Sequence, residues 1–482
     1  MTGYIFLFAF WAVALGAILS VFPKRSTVSS FLVSERNVGF ILGAVSTAVA
    51  WVWAGALFLS SQKAYQQGIP GLVWFAAPNA LALVLISFLV ARMHQVFKKG
   101  FTLPEFIGKR LDQRARVLYI VAIFVSQSYA VIFNLTAALL MLNFVTGIAK
   151  PNLILILGGM IVSLSLLKGM RSSLVEDVLK AVLIGIVIFV IVPVVIMKAG
   201  GISVLADGLG GIKGTFTNLF DPMVAWTFGV PISISLLSGI VIDQQQWQRA
   251  FSMRTNVARK AFLFGGFLFL LVPVMLGLLG YIAASPAAGI TVIPKQEQLA
   301  GFNVVMHLFS GMGTLAFTAM VLAGLVAAGS SALAAVSSIG AIDVYRIWNP
   351  VASDQQLLIA SRVAMIMLAL FGMAIALIPN IQLLYLILMV GAFRAALLVP
   401  TILALFWPRL SAVPTFWGIL LGMLAGVPLF VYGSIVNVPT ISSFGSLIPI
   451  LITVVFCVGG SLIKSKKFDY DLLASRSEKI EA

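Results

Sequence analysis

The chain has 482 residues, of which 61% are hydrophobic and 10% charged, and its net charge is +16. So apolar a composition excludes a soluble globular protein and leaves one that crosses the bilayer many times. The basic excess needs no nucleic-acid partner, because 25 of the 31 Lys and Arg residues fall in alternate connecting segments, the pattern of the positive-inside rule.

A helical span takes about 20 apolar residues. Thirteen stretches qualify, at 4–22, 39–65, 71–93, 116–146, 151–168, 174–197, 223–242, 260–284, 302–341, 357–378, 381–406, 413–433 and 442–463, here called spans one to thirteen. Span one has no basic residue before it and Pro23-Lys24-Arg25 after it. That flank is the reverse of a cleavable leader and predicts an uncleaved helix entering from outside. Segments after odd-numbered spans, including Lys168, Arg171 and Lys180, are then cytoplasmic, whereas those after even-numbered spans hold only Lys150, Lys198, Lys213 and Lys295. The expectation is a multi-pass protein of the plasma (inner) membrane, with the amino terminus outside and the carboxyl terminus cytoplasmic.

The predicted fold is an all-α integral membrane protein of about 13 helices. Region 1–38 is a first helix and loop, 39–198 and 199–408 are two five-helix sets, and 409–482 holds two further helices and a short tail. An odd number of helices per set inverts the second set relative to the first, the inverted repeat of many transporters. The first helix of each set is expected to be broken near the midplane, in span two within GAVSTAVAWVWAGALF and in span seven near Gly229 and Pro231. Lone Cys457 permits no internal disulfide, and His94 and His307 make no transition-metal cluster. No nucleophile triad or phosphate loop stands out, so no enzyme is expected.

Several stretches carry a resemblance. They are FLVSERNVG before span two, KAYQQGIPGLVW after it, FTLPEFIGKRLDQRAR, GMRSSLVEDVLK, IDQQQWQRAF, AAGSSALAAVSSIGAIDVY and VPTILALFWPRL. In this order and spacing the chain resembles the sodium:solute symporter family, with its leucine-transporter-type fold. WVWA with SSQKAYQQGIPGLVWF, and AVSSIGAIDVY, are most similar to its urea-transporting branch.

The resemblance implies a sodium site made of the carbonyls of Ala48, Trp51 and Ala327 and the hydroxyls of Ser330 and Ser331. Neutral oxygens suit a hard cation, and half-helix carbonyls add negative potential without a titratable group. The other reading has both serines bonding back to carbonyls one turn earlier or lying at a helix contact. Counting without gaps from Asp343 puts Ala327 and Ala328 at the hydroxyl positions, so the assignment implies a short deletion after Ser331. Leu333 and Ala334 then replace the hydroxyls of a second site, and one coupled sodium is expected.

By the same likeness Asp177 lies on the sodium exit path, or else it is a solvated or salt-bridged helix end with Lys180 or Arg171. Gln246 and Arg249 match an inner gate, or else a cytoplasmic loop with Trp247 at the interface. Arg394 sits mid-span, where a charge is costly. It either faces the solute or caps carbonyls and snorkels, and all fifteen Asp and Glu residues fall in loops or near predicted helix ends. Candidate solute ligands are Trp53, Asn79, Gln127, Ser128, Tyr129 and Arg394, with Trp51 or Trp53 as a lid; interhelical contact is the alternative for each.

The expected function is sodium-coupled import of a small polar solute, such as urea or a small amide or carboxylate, by alternating access. The expected partners are that solute, Na+ and the lipid bilayer, with no nucleic acid and no obligatory protein. The alternatives are a proton-coupled or uncoupled carrier and a transporter-like membrane sensor.

Overall fold

The computed structural model describes residues 2–21, 27–294, 296–378, 383–463 and 467–473. Pro23, Lys24, Arg25, Lys295, Lys464, Lys466 and residues 474–482 lie outside the described residues. Among the described residues there is no β-strand, only an isolated bridge between Val38 and Met253. Among the described residues, twelve helices are long and apolar enough to cross a membrane.

The thirteenth span is recovered at the start of the first five-helix set. Phe40–Ala50 is a short apolar helix, and Ala54–Val96 runs 43 residues but reverses at Gln67 and Gly68. The reversal is sharp enough that a Cβ on Gly71 would lie 2.3 Å from the Lys63 carbonyl oxygen. Span two is therefore Phe40–Ala50 plus 54–67, and span three is 69–96.

The break expected in span two is present. Trp51 to Trp53 leave the helix, and Trp53 is extended at φ −87° and ψ 153°. Span seven departs from expectation. Pro222–Ile242 passes Gly229 and Pro231 as a helix, with the π-turn Ala225–Gly229 ahead of the proline; a widened turn accommodates the missing Pro N–H. The interruption falls instead at Asp243, φ −70° and ψ 105°, whose side chain accepts the Gln245 N–H and starts a new helix, Gln244–Ser252. Span nine also differs, because Gly311 at φ +74° separates Ala300–Leu308 from Met312–Trp348.

Spans two, three, seven and eight pack as one group. Spans four, five, nine and ten form a second, with span six against nine, and span eleven joining seven to the pair twelve and thirteen. Met312–Trp348 lies at the centre, 94% of its most apolar window being buried. Lipid supplies no hydrophobic drive between helices, so close packing and polar contacts hold them. Gly280 of span eight shows the approach: a Cβ there would lie 2.2 Å from the Ser61 carbonyl oxygen.

Gly68 has φ +55°, and a Cβ would stand 2.3 Å from the Leu209 carbonyl oxygen and 2.5 Å from that of Phe216. Gly68→Ala is expected to cost about 1–3 kcal/mol through strain and overpacking. The check is a melting temperature in detergent several degrees below wild type; an unchanged value would show that the reversal tolerates a side chain.

Candidate functional site at the broken helix

A helix broken inside a membrane leaves backbone groups that water cannot reach, and they need partners within the protein. The Trp51 N–H donates to the Ala48 carbonyl at 3.2 Å and the Val52 N–H to that of Val49 at 3.0 Å, tightening the last turn. The first free N–H of the second half, on Ala54, donates to Asn134 Oδ1 of span four at 2.6 Å. The carbonyls of Val49 and Val52 both accept from the Lys180 ammonium of span six, the former at 2.7 Å. Lys180 is fully buried.

Beside Lys180, Arg249 of the Gln244–Ser252 helix is the hub of a second cluster. Its Nη2 pairs with Asp177 Oδ2 at 2.7 Å, with 1% and 0% of the two side chains exposed. The same nitrogen donates to Ser173 at 3.0 Å and to Ser331 at 2.8 Å, while Nε donates to Ser46 at 2.9 Å. Ser331 and Ser173 bond one another at 2.8 Å. Ser330 Oγ and the Glu176 carboxylate are buried beside this cluster, and the hydroxyl faces the carboxylate.

Ala48, Trp51, Ala327, Ser330 and Ser331 are all buried, Ala48 and Trp51 at the break itself. Two of the protein's own cations stand there as well, Lys180 on the break's carbonyls and Arg249 on Ser331. Ser331 bonds across to span six and to Arg249. The reading of Asp177 as a solvated end, or as a partner of Lys180 or Arg171, is corrected: span six begins at Met170, so Asp177 lies two turns in and pairs with Arg249, while Arg171 pairs with Glu35 at 2.7 Å. Lys180 belongs to this buried cluster and not to a cytoplasmic segment. The segment from Asp243 to Arg249 is not a surface loop, since every residue of Gln244–Ser252 is buried and Trp247 is inaccessible. Gln246 lies in this helix with neither amide atom partnered.

A third cluster stands on the other side of Val52. The Trp53 ring meets Trp51 at 5.4 Å, Tyr129 at 5.6 Å and Phe133 at 5.9 Å between centroids. Arg394 of span eleven lies over Tyr129 at 5.0 Å and Trp53 at 6.0 Å. Its Nε donates to Ser126 Oγ at 2.9 Å. It does not snorkel, being 4% exposed, and the acid that the sequence failed to supply is Asp243, which interacts with it electrostatically. Asp243 Oδ1 accepts from Gln127 at 3.0 Å, and Gln127 Oε1 accepts from Gln245 at 2.7 Å. Trp51 Nε1, Trp53 Nε1, Tyr129 Oη and Gln245 Oε1 are buried without partners.

Two candidates turn away from this cluster. Asn79 donates to the Phe75 carbonyl at 2.8 Å and Ser128 to that of Phe124 at 2.8 Å, each on its own helix. Sequence reasoning missed Lys180, Asn134, Asp243, Gln245 and Ser126 as members of these clusters. Lys180 and Asn134 carried a signal, since a charge or amide within an apolar span is expensive unless it has a partner; Asp243 carried another as a helix-starting residue after an apolar run.

A broken helix held by buried polar contacts beside a lined, aromatic-rich cluster, inside a two-group helical bundle, defines a membrane solute transporter of the leucine-transporter fold. Residues 31–422 match the Sodium:solute symporter family, and the chain belongs to that family. It is 23% identical over 93% of its length to the urea-proton symporter DUR3 of Oryza sativa subsp. japonica, 68% of which is covered. It is 22% identical over 93% of its length to probable urea active transporter 1 of Schizosaccharomyces pombe, with 73% of that protein covered. These relatives agree with the urea-branch likeness read from the sequence. The solved structure of a Na+-coupled sialic acid symporter in a substrate-bound outward-open state superposes with a TM-score of 0.81, at 16% identity, over 97% of this chain and 99% of the other. The chain is therefore a multi-pass secondary active solute transporter and not an enzyme.

Removing one member of a buried ion pair leaves the other uncompensated, at about 3–5 kcal/mol. Asp177→Asn is expected to lower stability by that order, and Asp177→Leu with Arg249→Met to recover part of it. Melting of the purified variants checks this, and a double variant as unstable as the two losses added would show that the pair is not acting as a unit.

Proposed function

We propose that this transporter imports a small, uncharged polar solute of the urea class together with a monovalent cation. One observation carries the solute class. Around Trp53, the indole N–H groups, the Tyr129 hydroxyl and the Gln245 carbonyl supply both donors and an acceptor without protein partners, and Arg394 is offset by Asp243. Urea offers a carbonyl and four N–H donors, and such a mixed, overall neutral lining complements it. The names of the rice and fission-yeast relatives support the same class. Orientation follows the basic segments, with the carboxyl terminus cytoplasmic, and alternating access is a movement of the group of spans two, three, seven and eight against that of four, five, nine and ten.

For the coupling ion, the geometry supports a proton, because the Val49 and Val52 carbonyls, next in the chain to those of Ala48 and Trp51, and the Ser331 hydroxyl already serve the protein's own cations. The rice relative's name supports this too. Sodium is the second reading, supported by the family's name and by the buried Ser330 hydroxyl, which faces the Glu176 carboxylate and not a cation of the protein. Either ion suffices: moving one charge down 100 mV and a tenfold gradient releases about 3.7 kcal/mol, enough for a several-hundredfold solute ratio.

Purified protein in liposomes is expected to exchange labelled urea across the membrane, and Trp53→Ala to slow exchange at least tenfold. A wild type that exchanges neither urea nor small amides or carboxylates would leave the sensor reading ahead. Sodium is expected to raise the melting temperature no more than potassium. A sodium-specific rise that disappears in the variant with Ser330→Ala and Ser331→Ala together would establish the second reading instead.

A further inference from the structure

We propose that Lys180 is the group that carries the coupling proton, its ammonium taking the place of a coupling metal ion on the broken helix. The inference rests on the transport reading above and names the site within it.

The ammonium is held as a bound cation would be. Its ligands are the carbonyls of Val49 and Val52, at the carboxyl end of a half-helix, where backbone dipoles give negative potential. No carboxylate pairs with it within ion-pair distance among the described residues. Asp177, three residues earlier on the same helix, gives Oδ2 to Arg249 and Ser46. The titratable or charged groups around Lys180 are Asp177 and Glu176 on its own span and Arg249 on the Gln244–Ser252 helix. Spans two and nine face the cluster with carbonyls and hydroxyls, and Arg171 with Glu35 closes the end of span six.

Of the two cations, only Lys180 suits a cycle. A guanidinium does not deprotonate in proteins, whereas a lysine amine can bind and release a proton. Arg249 is thus a fixed charge that neutralises Asp177, and Lys180 is the exchangeable one. Its position also supplies the link to the solute: Val52, whose carbonyl it holds, lies directly between Trp51 and Trp53. Protonation of Lys180 fastens the break that aims both indoles at the solute cluster. The balance is simple. A proton from water on the outer side binds the Nζ lone pair; after the protein opens inward, Nζ gives that proton to cytoplasmic water and returns as the neutral amine. One proton and one positive charge cross per cycle, and no other bond changes.

The test uses full-length protein in liposomes carrying an internal pH dye, with labelled urea. Wild type is expected to accumulate urea at least tenfold when the inside is made alkaline, to acidify the interior with about one proton per urea, and to gain nothing from a sodium gradient at equal pH. Lys180→Gln and Lys180→Arg are expected to move urea more slowly, with the proton-to-urea ratio falling at least tenfold. Variants that keep the wild-type ratio overturn the proposal. Concentrative uptake by the wild type on a sodium gradient alone overturns it as well, and this arm holds even where the variants fail to fold. Absence of urea exchange in the wild type, measured with no gradient, overturns the transport reading itself.

Discussion

Everything near the centre of this protein depends on leaving a helix open inside a membrane. Hydrocarbon offers no hydrogen bonds, so the break at Trp51 to Trp53 exists only where other spans supply partners. Two do so here. Asn134 of span four takes the Ala54 N–H and Lys180 of span six takes the Val49 and Val52 carbonyls, while the preceding turn tightens on itself through Trp51 and Val52. Spans four and six belong to, or pack against, the group opposite the broken helix. The contacts that satisfy the break are therefore the same contacts that join the two groups, so a relative movement of the groups must exchange them.

The charges follow from that constraint. Lys180, Arg249 and Arg394 are all buried, and each stands on a different element. Asp177 answers Arg249 directly, Asp243 answers Arg394 through the field, and Lys180 is held by backbone carbonyls, with Asp177 acting on it only through the field. Asp243 has a double role, because the carboxylate that faces Arg394 and binds Gln127 also starts the Gln244–Ser252 helix. That helix carries Arg249, which reaches Ser46 of span two and Ser331 of span nine. The aromatic cluster around Trp53 and the cluster around Arg249 are thus joined by one short buried helix, with Val52 as a second connection between them.

Much of the fold was legible in composition and charge placement. Thirteen apolar runs, the basic alternation and the small residues of span two each reflect a strong physical demand of the bilayer. The site was legible in its members more than in its bonds. Trp53, Gln127, Tyr129 and Arg394 were singled out and do meet, whereas Asn79 and Ser128 satisfy their amide or hydroxyl on their own helix, an option that polar residues in apolar spans always have. The break in span seven was misplaced because Gly229 and Pro231 look like stronger helix breakers than an aspartate. A π-turn absorbs the proline, and the Asp243 cap is what starts a new helix. Lys180 was misread for a related reason: within GMRSSLVEDVLK it resembles the tail of a basic loop, and only the start of span six at Met170 puts it three turns deep.

The hydroxyl pair at Ser330 and Ser331 shows how far a neutral site depends on what stands opposite it. Alone, two serines beside half-helix carbonyls suit an ion that binds and leaves. Opposite a guanidinium, Ser331 becomes an acceptor in a closed network with Ser173 and Asp177, and it has less to offer a diffusible cation. The carbonyls of Val49 and Val52 are committed in the same way to an ammonium. A tethered cation cannot diffuse out, so on the proposed reading its proton is what each cycle releases. A lysine whose sole ligands are backbone carbonyls can discharge without leaving an unpaired carboxylate behind, since the cost of the neutral state is a weakened pair of hydrogen bonds. Under the proposed proton coupling, cation coupling becomes a matter of where the proton on one side chain can reach water, a question of which end of the bundle is open.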